Sequence, residues 1–488
     1  MGIVKKKAPL PIFSLRVLIG LAVVLTEAVF IDVLAPVGAE FVLSSAVVTI
    51  ALLLQLRFAV RPNVGTPADI VVFIFNWLFL DLAPKFQLMS MPQQLVNTST
   101  VEVGTVATTN LICALFMVIY TAVYMILAKR AEGGAARTVA PAPPAAAQRE
   151  FVVGGVALAL LICIMVVGIA VPFAYRSVDS EAAATPATLI MNRFLLFLPT
   201  ATLLILLNET IRSPQKVVFS RICALLLLFI LVLVTENTYT EKRNALGPIY
   251  LALVMVLFQG WFAIGNRRLG LLVLGMVVVF PAIAVFTQNH RAILGSFSFG
   301  DVGDQIAEHY FSINYDSWAN VYTSVEIVQV AGLQWGHQLL GSLLFFVPSS
   351  LWGSKPVATG IFLGNYLSTH YGMWFTNLSA PLVAEGYLDF GYVGVVAYAT
   401  GLAYLVTFLN WLARRNTWSA LPMAIYASVF LMIVMRGSLM IATGFAVAAY
   451  LSFCLASGLL SAKLGVRHVA RRPPGSPARR MDFDRRVG

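Results

Sequence analysis

Long apolar runs separated by short polar connections extend along most of this chain. Each run is close to the length of about 20 residues that an α-helix needs to cross the hydrocarbon core of a bilayer. The pattern predicts about twelve spans, at residues 13–35, 41–56, 69–84, 105–128, 151–173, 194–208, 217–234, 248–265, 269–287, 391–412, 419–435 and 439–461. The chain is therefore predicted to be an all-α polytopic membrane protein.

Basic residues are concentrated at one end of these predicted spans. Lys5, Lys6 and Lys7 precede the first span, and basic pairs follow every second span, at Arg57/Arg61, Lys129/Arg130, Arg212/Lys216, Arg267/Arg268 and Arg414/Arg415. Because positively charged loops stay on the cytoplasmic side, both termini are predicted to lie inside. The predicted organisation is a bundle of about nine spans at 1–287, a large periplasmic loop at 288–390, further spans at 391–462 and a cytoplasmic basic tail at 463–488.

Composition supports the same class of protein. Of the 488 residues, 59% are hydrophobic and 11% are charged, and the mean hydropathy is +0.84, which excludes an ordinary soluble domain. A net charge of +11 would favour nucleic-acid binding in a soluble chain. Here the cations lie mainly in short connections and in the tail, so we expect contact with the lipid bilayer and no nucleic-acid partner.

The loop at 288–390 is the one long stretch between apolar runs that is neither a simple span nor a charged tail. Apolar residues recur with helical spacing from Trp318 to Val328, which predicts an amphipathic helix with Asp316 as a candidate N-cap. The apolar stretch 339–347 is too short to cross a bilayer and ends at Pro348. It is therefore predicted to be re-entrant or interfacial, because a full span there would place Arg414 and Arg415 outside.

Eight cations fall on the predicted outer side, where the charge rule disfavours them: Lys85, Arg176, Arg193, Lys242, Arg243, Arg291, Lys355 and Arg436. For Lys85, Arg176, Arg193 and Lys242, interfacial snorkelling or a structural ion pair is the simpler explanation. Arg243, Arg291 and Arg436 lie at turns on one membrane face, and several guanidinium groups there are typical of a site for a lipid headgroup or a diphosphate. Scattered structural pairing is the alternative.

Acidic residues in the loop raise a second possibility for binding. Asp301, Asp304 and Glu308 have i, i+3, i+7 spacing and would share one face of a helix. Such a face could collect a divalent metal. A solvated acidic face is the commoner outcome, and no metal site is predicted.

Several short motifs in and after the loop occur in a recognisable order. They are Tyr315-Asp316 with Asn320, then Val347-Pro348 followed by Trp352-Gly353-Ser354-Lys355-Pro356, then Ala384-Glu385-Gly386-Tyr387-Leu388-Asp389-Phe390-Gly391. This order resembles the large periplasmic loop of bacterial O-antigen and oligosaccharide repeat-unit polymerases, the Wzy family, and Arg436-Gly437-Ser438 resembles that family's late Arg-Gly turn. The resemblance covers mainly residues 288–440. The chain departs from the family pattern at Ser349-Ser350, where an Arg often follows the Pro, and at Asp389, where Asn is common.

The resemblance implies a GT-C-type glycosyltransferase of the bacterial inner membrane that needs no metal or other cofactor. Such an enzyme transfers a glycan chain from undecaprenyl diphosphate to the terminal sugar of another lipid-linked repeat unit, at a site facing the periplasm. Both substrates are undecaprenyl-diphosphate-linked oligosaccharides, and a flippase and a chain-length regulator are the expected protein partners.

Local chemistry assigns roles to particular residues within that scheme. Glu385 is the candidate general base and His290 a weaker one, because the attacking sugar hydroxyl must lose a proton. The alternative is a structural pair of Glu385 with Lys355 or with an Arg. Cations would stabilise the departing diphosphate, and the candidates are Arg243, Arg291, Lys355 and Arg436. Asp316, Trp352 and Tyr387 are expected to bind sugar or to order the loop.

Two other functions remain open at this stage. An O-antigen ligase would use the same donor with lipid A core as acceptor. A lipid-linked oligosaccharide flippase would place ionisable groups along a path inside the membrane. Few such groups occur in this sequence, chiefly Glu27 and then Asp32 in the first span.

Overall fold

The computed structural model describes residues 13–34, 38–61, 66–90, 95–98, 100–133, 186–212, 219–236, 243–262, 265–279, 310–415 and 419–461. Within these ranges the chain is helical and forms no β-strand. Six of the described helices are long and apolar enough to cross a membrane, judged by length and composition: Leu15–Leu34, Ala39–Phe58, Val103–Arg130, Arg193–Arg212, Leu382–Arg414 and Leu439–Leu460. The described part of the protein is therefore a helical membrane protein.

The helices follow one another in the order predicted from the apolar runs. The first group is α1 (Phe13–Leu34), α2 (Ala39–Phe58), α3 (Ala68–Trp77), a π-helical turn (Leu78–Leu82), α4 (Ala83–Ser90) and α5 (Val103–Gly133). The second group is α6 (Pro186–Arg212), α7 (Phe219–Thr235), α8 (Arg243–Leu257), α9 (Gln259–Phe262) and α10 (Gly265–Leu274), which continues into a π-helical turn (Gly275–Val279). A 3₁₀ turn (Ile313–Tyr315) precedes α11 (Ser317–Ala331), α12 (His337–Leu343), α13 (Thr359–Tyr371), α14 (Leu382–Arg414), α15 (Ala420–Arg436) and α16 (Leu439–Ser461).

These helices pack around two large apolar cores. The first core includes side chains of α1 to α5 together with α11 and α14, and α5 lies between α2 and α14. The second includes side chains of α6, α7, α8, α15 and α16, with α16 packed along α6. Because α15 contributes Leu431 and Met435 to the first core and Ile425 and Phe430 to the second, it joins the two groups of helices near the candidate site.

A sharp bend interrupts α14 at the boundary predicted between the loop and the next span. Phe390 and Gly391 have non-helical backbone angles, and the φ of Gly391 is 59°, which glycine adopts without the steric penalty of a side chain. The segments before and after the bend pack closely against each other, since a Cβ atom on Gly394 would lie 1.8 Å from the Gly386 carbonyl oxygen. The bend therefore separates a short first segment, which holds Glu385 and Asp389, from the long second segment.

Two expectations about the helix after Asp316 are wrong in detail. The helix from Ser317 to Ala331 is not amphipathic at its start, because every residue from Ser317 to Val325 is buried between neighbouring elements. Asp316 occupies the N-cap position, but its carboxylate makes no capping hydrogen bond to the helix. For Lys85 the structure decides between the two explanations given above: the side chain is only 3% exposed and forms ion pairs within the bundle, so the structural ion pair is confirmed and interfacial snorkelling is not.

The number of spans stays a prediction. The long apolar helices coincide with the runs predicted at 13–35, 41–56, 105–128, 194–208, 391–412 and 439–461. Shorter apolar helices at Arg221–Thr235, Ala245–Leu257 and Ala420–Arg436 lie at three further runs. The run at 151–173 lies outside the described residues.

Candidate functional site

The turn between α15 and α16, residues 436–439, is the point where distant parts of the chain meet. The backbone N–H of Ala380 donates to the Arg436 carbonyl oxygen at 3.0 Å, and the N–H of Thr359 donates to Ser438 Oγ at 3.1 Å. The N–H of Leu439 donates to Glu385 Oε1 at 2.8 Å. This turn, called the 436–439 turn below, is therefore fixed by contacts from three separate segments.

Asp316 supplies the negative charge beside this turn. Its carboxylate accepts hydrogen bonds from the Ser379 hydroxyl at 2.6 Å, the Ser379 N–H at 3.1 Å and Asn320 Nδ2 at 2.9 Å. Arg436 Nη2 lies 3.7 Å from Asp316 Oδ1. Since hydrogen bonds from neutral groups already occupy both oxygens, the carboxylate is stabilised independently of the arginine.

Arg436 keeps unused hydrogen-bonding capacity in this arrangement. Its side chain is 25% exposed, and the 3.7 Å ion pair is longer than a charge-assisted hydrogen bond. The buried Nε atom has no hydrogen-bond partner among the described residues. The guanidinium carbon lies 5.6 Å from the centre of the Phe79 ring, which supports one face of the group. The guanidinium group is thus held in place but retains hydrogen-bond donors without a close acceptor. A group that binds an anion needs both properties.

Glu385 lies in the first turn of α14 and is completely buried. Apart from the bond to Leu439, the hydroxyl groups of Thr359 and Ser438 lie beside the carboxylate, whereas Oε2 has no hydrogen-bond partner among the described residues. An unpartnered buried oxygen is a plausible proton acceptor in chemical terms. Because the residue has no exposed surface, the surrounding segments must separate before a substrate hydroxyl reaches it.

Asp389 positions the short helix α12. Its carboxylate accepts the backbone N–H groups of Gln338 at 3.1 Å and Leu339 at 2.8 Å, which are free donors in the first turn of the helix. The acid thus acts as an N-terminal cap supplied from another element, where negative charge also complements the helix dipole. Asp389 therefore has a structural role here.

Lys355 also has a local structural role, and it does not pair with Glu385. Its ammonium group donates to the carbonyl oxygens of Phe345 and Val347, each at 2.8 Å, in the turns that follow α12. Partial burial lowers the pKa of Lys355 from its ordinary value. The expected alternative of a Glu385–Lys355 pair is therefore wrong.

The aromatic candidates differ in accessibility. Tyr387 is only 7% exposed and packs edge-on against Tyr392, so its ring is not open to a sugar in this conformation. Trp352 donates from Nε1 to Ser354 Oγ at 3.0 Å and is partly exposed. Trp335 and Trp374 are 77% and 89% exposed, which makes them the more accessible rings of the loop. Trp318, by contrast, is buried and donates to Asn110 Oδ1.

Other predicted residues lie outside what the structure describes. His290, Arg291 and the acidic set Asp301, Asp304 and Glu308 fall in the undescribed range 280–309. Arg243 begins α8, but its side chain is not described. Among the described residues no group of three or more His, Cys, Asp or Glu side chains is arranged to hold a metal ion. The predicted headgroup or diphosphate site of Arg243, Arg291 and Arg436 stays a prediction.

Two residues that contact the site were not indicated by the sequence. Ser379 is the main partner of Asp316, and Phe79 supports Arg436, yet neither belongs to a local polar motif. Phe79 lies within an apolar run and Ser379 within a segment without regular secondary structure, so only the tertiary fold distinguishes them from their neighbours.

No protein-family model, curated protein or solved structure matches this chain. Functional assignment therefore rests on the chain's own residues.

Chemically, the site combines a positioned cation with two buried carboxylates. Arg436 can stabilise negative charge on a phosphate group through its planar donors. Asp316 accepts hydrogen bonds from neutral donors on both oxygens and is suited to hold Arg436 in place. Glu385 has the unpartnered oxygen and is the better acceptor of a proton.

Proposed function

We propose that this protein is a polymerase of undecaprenyl-diphosphate-linked oligosaccharide repeat units, in which Arg436 binds the diphosphate of the donor. The observation that supports the proposal most is the meeting of Asp316, Glu385 and Arg436 at the 436–439 turn. These residues belong to three of the four motifs that resemble the Wzy family. A fold that brings such motifs together is expected if they form one site.

In the proposed reaction, the bond between the anomeric carbon of the donor glycan and the diphosphate oxygen breaks. A hydroxyl of the acceptor's terminal sugar forms the new glycosidic bond, and its proton passes to Glu385. Undecaprenyl diphosphate leaves as an anion, which Arg436 stabilises electrostatically. The proposal includes a GT-C-type architecture in the bacterial inner membrane, with the 436–439 turn facing the periplasm and a flippase and a chain-length regulator as partners.

The experiment is reconstitution of the purified protein with lipid-linked repeat units extracted from the producing cells. We expect a ladder of extended glycans together with release of undecaprenyl diphosphate. If glycan is transferred only when lipid A core is supplied, the protein is a ligase. Intact, folded protein that neither extends chains nor releases the lipid diphosphate would refute glycosyl transfer.

Transport of a lipid-linked oligosaccharide is the second candidate function. It is favoured by one observation, the burial of Glu27, Asp81 and Lys85 inside the helical bundle. Ionisable groups in such a place are typical of transport pathways. Movement of a labelled lipid-linked oligosaccharide across vesicles that contain the protein, without glycan extension, would favour transport over polymerisation.

A further inference from the structure

A cluster of charged side chains lies in the first group of helices and is separate from the 436–439 turn. Lys85 Nζ, on α4, lies 2.7 Å from Glu27 Oε2 on α1 and donates to Asp81 Oδ1 in the π-helical turn. It also lies 2.8 Å from Thr49 Oγ1 on α2. Glu27, Asp81 and Lys85 are 6%, 1% and 3% exposed, so the cluster is closed to bulk solvent.

The charges of this cluster do not balance when all three groups are ionised. Two carboxylates face one ammonium group, and α2 contributes only the hydroxyls of Ser45 and Thr49, which donate to Glu27 Oε2 at 2.9 and 3.0 Å. No other ion pair to these three groups is formed within the described ranges. A net negative charge on groups this buried is strongly unfavourable, because burial removes most of the solvation that stabilises an ionised carboxylate.

The hydrogen bonding is incomplete in the same place. Glu27 Oε1 and Asp81 Oδ2 are both buried and have no hydrogen-bond partner among the described residues. Each oxygen therefore requires a donor that the surrounding side chains do not provide. These two oxygens are independent of the charge count, and either of them can carry a proton.

We propose that Glu27 and Asp81 together bind one exchangeable proton beside Lys85. The proton comes from solvent hydronium and forms an O–H bond on one carboxylate, which leaves one ionised carboxylate paired with the ammonium group and a neutral cluster. A metal cation fits less well, because the ammonium group already contacts both carboxylates and would repel it. This inference rests on neither polymerisation nor transport.

The cluster is connected to the candidate site through the π-helical turn that contains Asp81. Asp81 lies in the π-helical turn Leu78–Leu82, and such turns are frequent at functional sites. The same turn carries Phe79, which stacks on Tyr315 at 5.0 Å between ring centres and lies beneath Arg436. A change of charge at Asp81 thus occurs two residues from the support of the candidate site.

Infrared spectra of the purified full-length protein, recorded in H₂O and in D₂O and subtracted from each other, test the inference. In wild type we expect a protonated-carboxyl C=O band that shifts in D₂O. Either Asp81→Asn or Glu27→Gln should remove the band intensity of one protonated carboxyl group. In each variant one carboxylate remains, and its charge is balanced by the ammonium group of Lys85, so it stays ionised. Asp32→Asn is the matched control, since Asp32 lies on the same helix but is exposed, and it should leave the band unchanged.

A second measurement assigns the band to a residue type. With ¹³C at the side-chain carboxyl of aspartate or of glutamate, the intensity that Asp81→Asn or Glu27→Gln removes should be shifted by one of the two labels, whereas bands of other buried carboxyl groups, such as those of Asp69 and Glu385, remain in both variants. Spectra that do not change in either variant, or a wild-type protein without such a band at neutral pH, would overturn the proposal. A band that appears only when Na⁺ is replaced by choline would also overturn it, in favour of a cation site.

Discussion

At the scale of single residues, the site separates charges that hold structure from charges that remain free for chemistry. Asp316 and Asp389 have their oxygens occupied by neutral donors, and the donors of Lys355 point to backbone carbonyl groups. Arg436 and Glu385 differ, because each retains a buried polar atom without a hydrogen-bond partner among the described residues. Among the charged residues around the 436–439 turn, these two are therefore the best candidates for function.

Glu385→Gln separates a chemical role from a structural one. The Gln carbonyl oxygen can still accept the N–H of Leu439, so we expect the variant to fold and to unfold at nearly the wild-type temperature. If Glu385 accepts the acceptor's proton, chain extension should fall by about 10²–10⁴-fold. Chain-length distribution and thermal unfolding measured on the same preparation decide this. Wild-type chain extension in a folded Glu385→Gln protein would exclude the residue as the base.

Lys355→Met tests the structural assignment of the lysine. Loss of its hydrogen bonds to Phe345 and Val347 should lower the free energy of unfolding by about 1–3 kcal/mol. Because Lys355 does not contact Glu385, the effects of Lys355→Met and Glu385→Gln on stability should be additive in the double variant. If the double variant were more stable in denaturant titrations than the sum of the two single effects predicts, Lys355 and Glu385 would form an ion pair that this structure does not contain.

At the scale of elements, α12 is too short to be stable alone and depends on α14 for its orientation. Isolated helices of about 12 residues are already marginal in water, and α12 has seven. Asp389 caps its first turn, and the N–H of Gln334 donates to the Leu388 carbonyl oxygen at 2.8 Å. The bend at Phe390 and Gly391 places these acceptors beside the helix.

Asp389→Ala should therefore loosen α12 specifically. Removal of a cap costs about 0.5–2 kcal/mol, and Asn, which retains an acceptor oxygen, should cost less. Limited proteolysis of the 332–352 segment is the measurement, with cleavage expected in the order Ala fastest, then Asn, then wild type. Exposed Asp32→Asn serves as the control. Equal cleavage of all four proteins would mean that the cap does not hold α12.

At the scale of the whole molecule, topology connects the candidate site to one membrane face. The 436–439 turn and the residues after Arg414 lie at opposite ends of α15. In a variant without native cysteines, Ser354→Cys should react with an impermeant thiol reagent once only the outer membrane is permeabilised. Arg415→Cys should react only after the inner membrane is opened. The reverse pattern would place the site in the cytoplasm.

The sequence predicted the helices far better than it predicted the site. Apolar runs such as 105–128 and 439–461 define long helices directly, because a bilayer requires continuous apolar length. Asp81 and Lys85 have i, i+4 spacing that could have indicated their pairing, yet Glu27 joins them only through the packing of α1 against α4. The contacts of Asp316 with Ser379 and Arg436 join residues far apart in sequence, so local patterns could not reveal them.

The most direct test of the central claim is the activity of Arg436→Gln in the reconstituted reaction. Removing one preorganised electrostatic group typically lowers the rate by about 10²–10³-fold, and we expect this loss in chain extension and in release of undecaprenyl diphosphate. Arg415→Gln, at an exposed arginine that lies over Trp411, should match wild type. EDTA should not change either result. Full activity of a folded Arg436→Gln protein, or loss of wild-type activity with EDTA, would contradict a metal-independent transferase that uses Arg436 to hold the diphosphate.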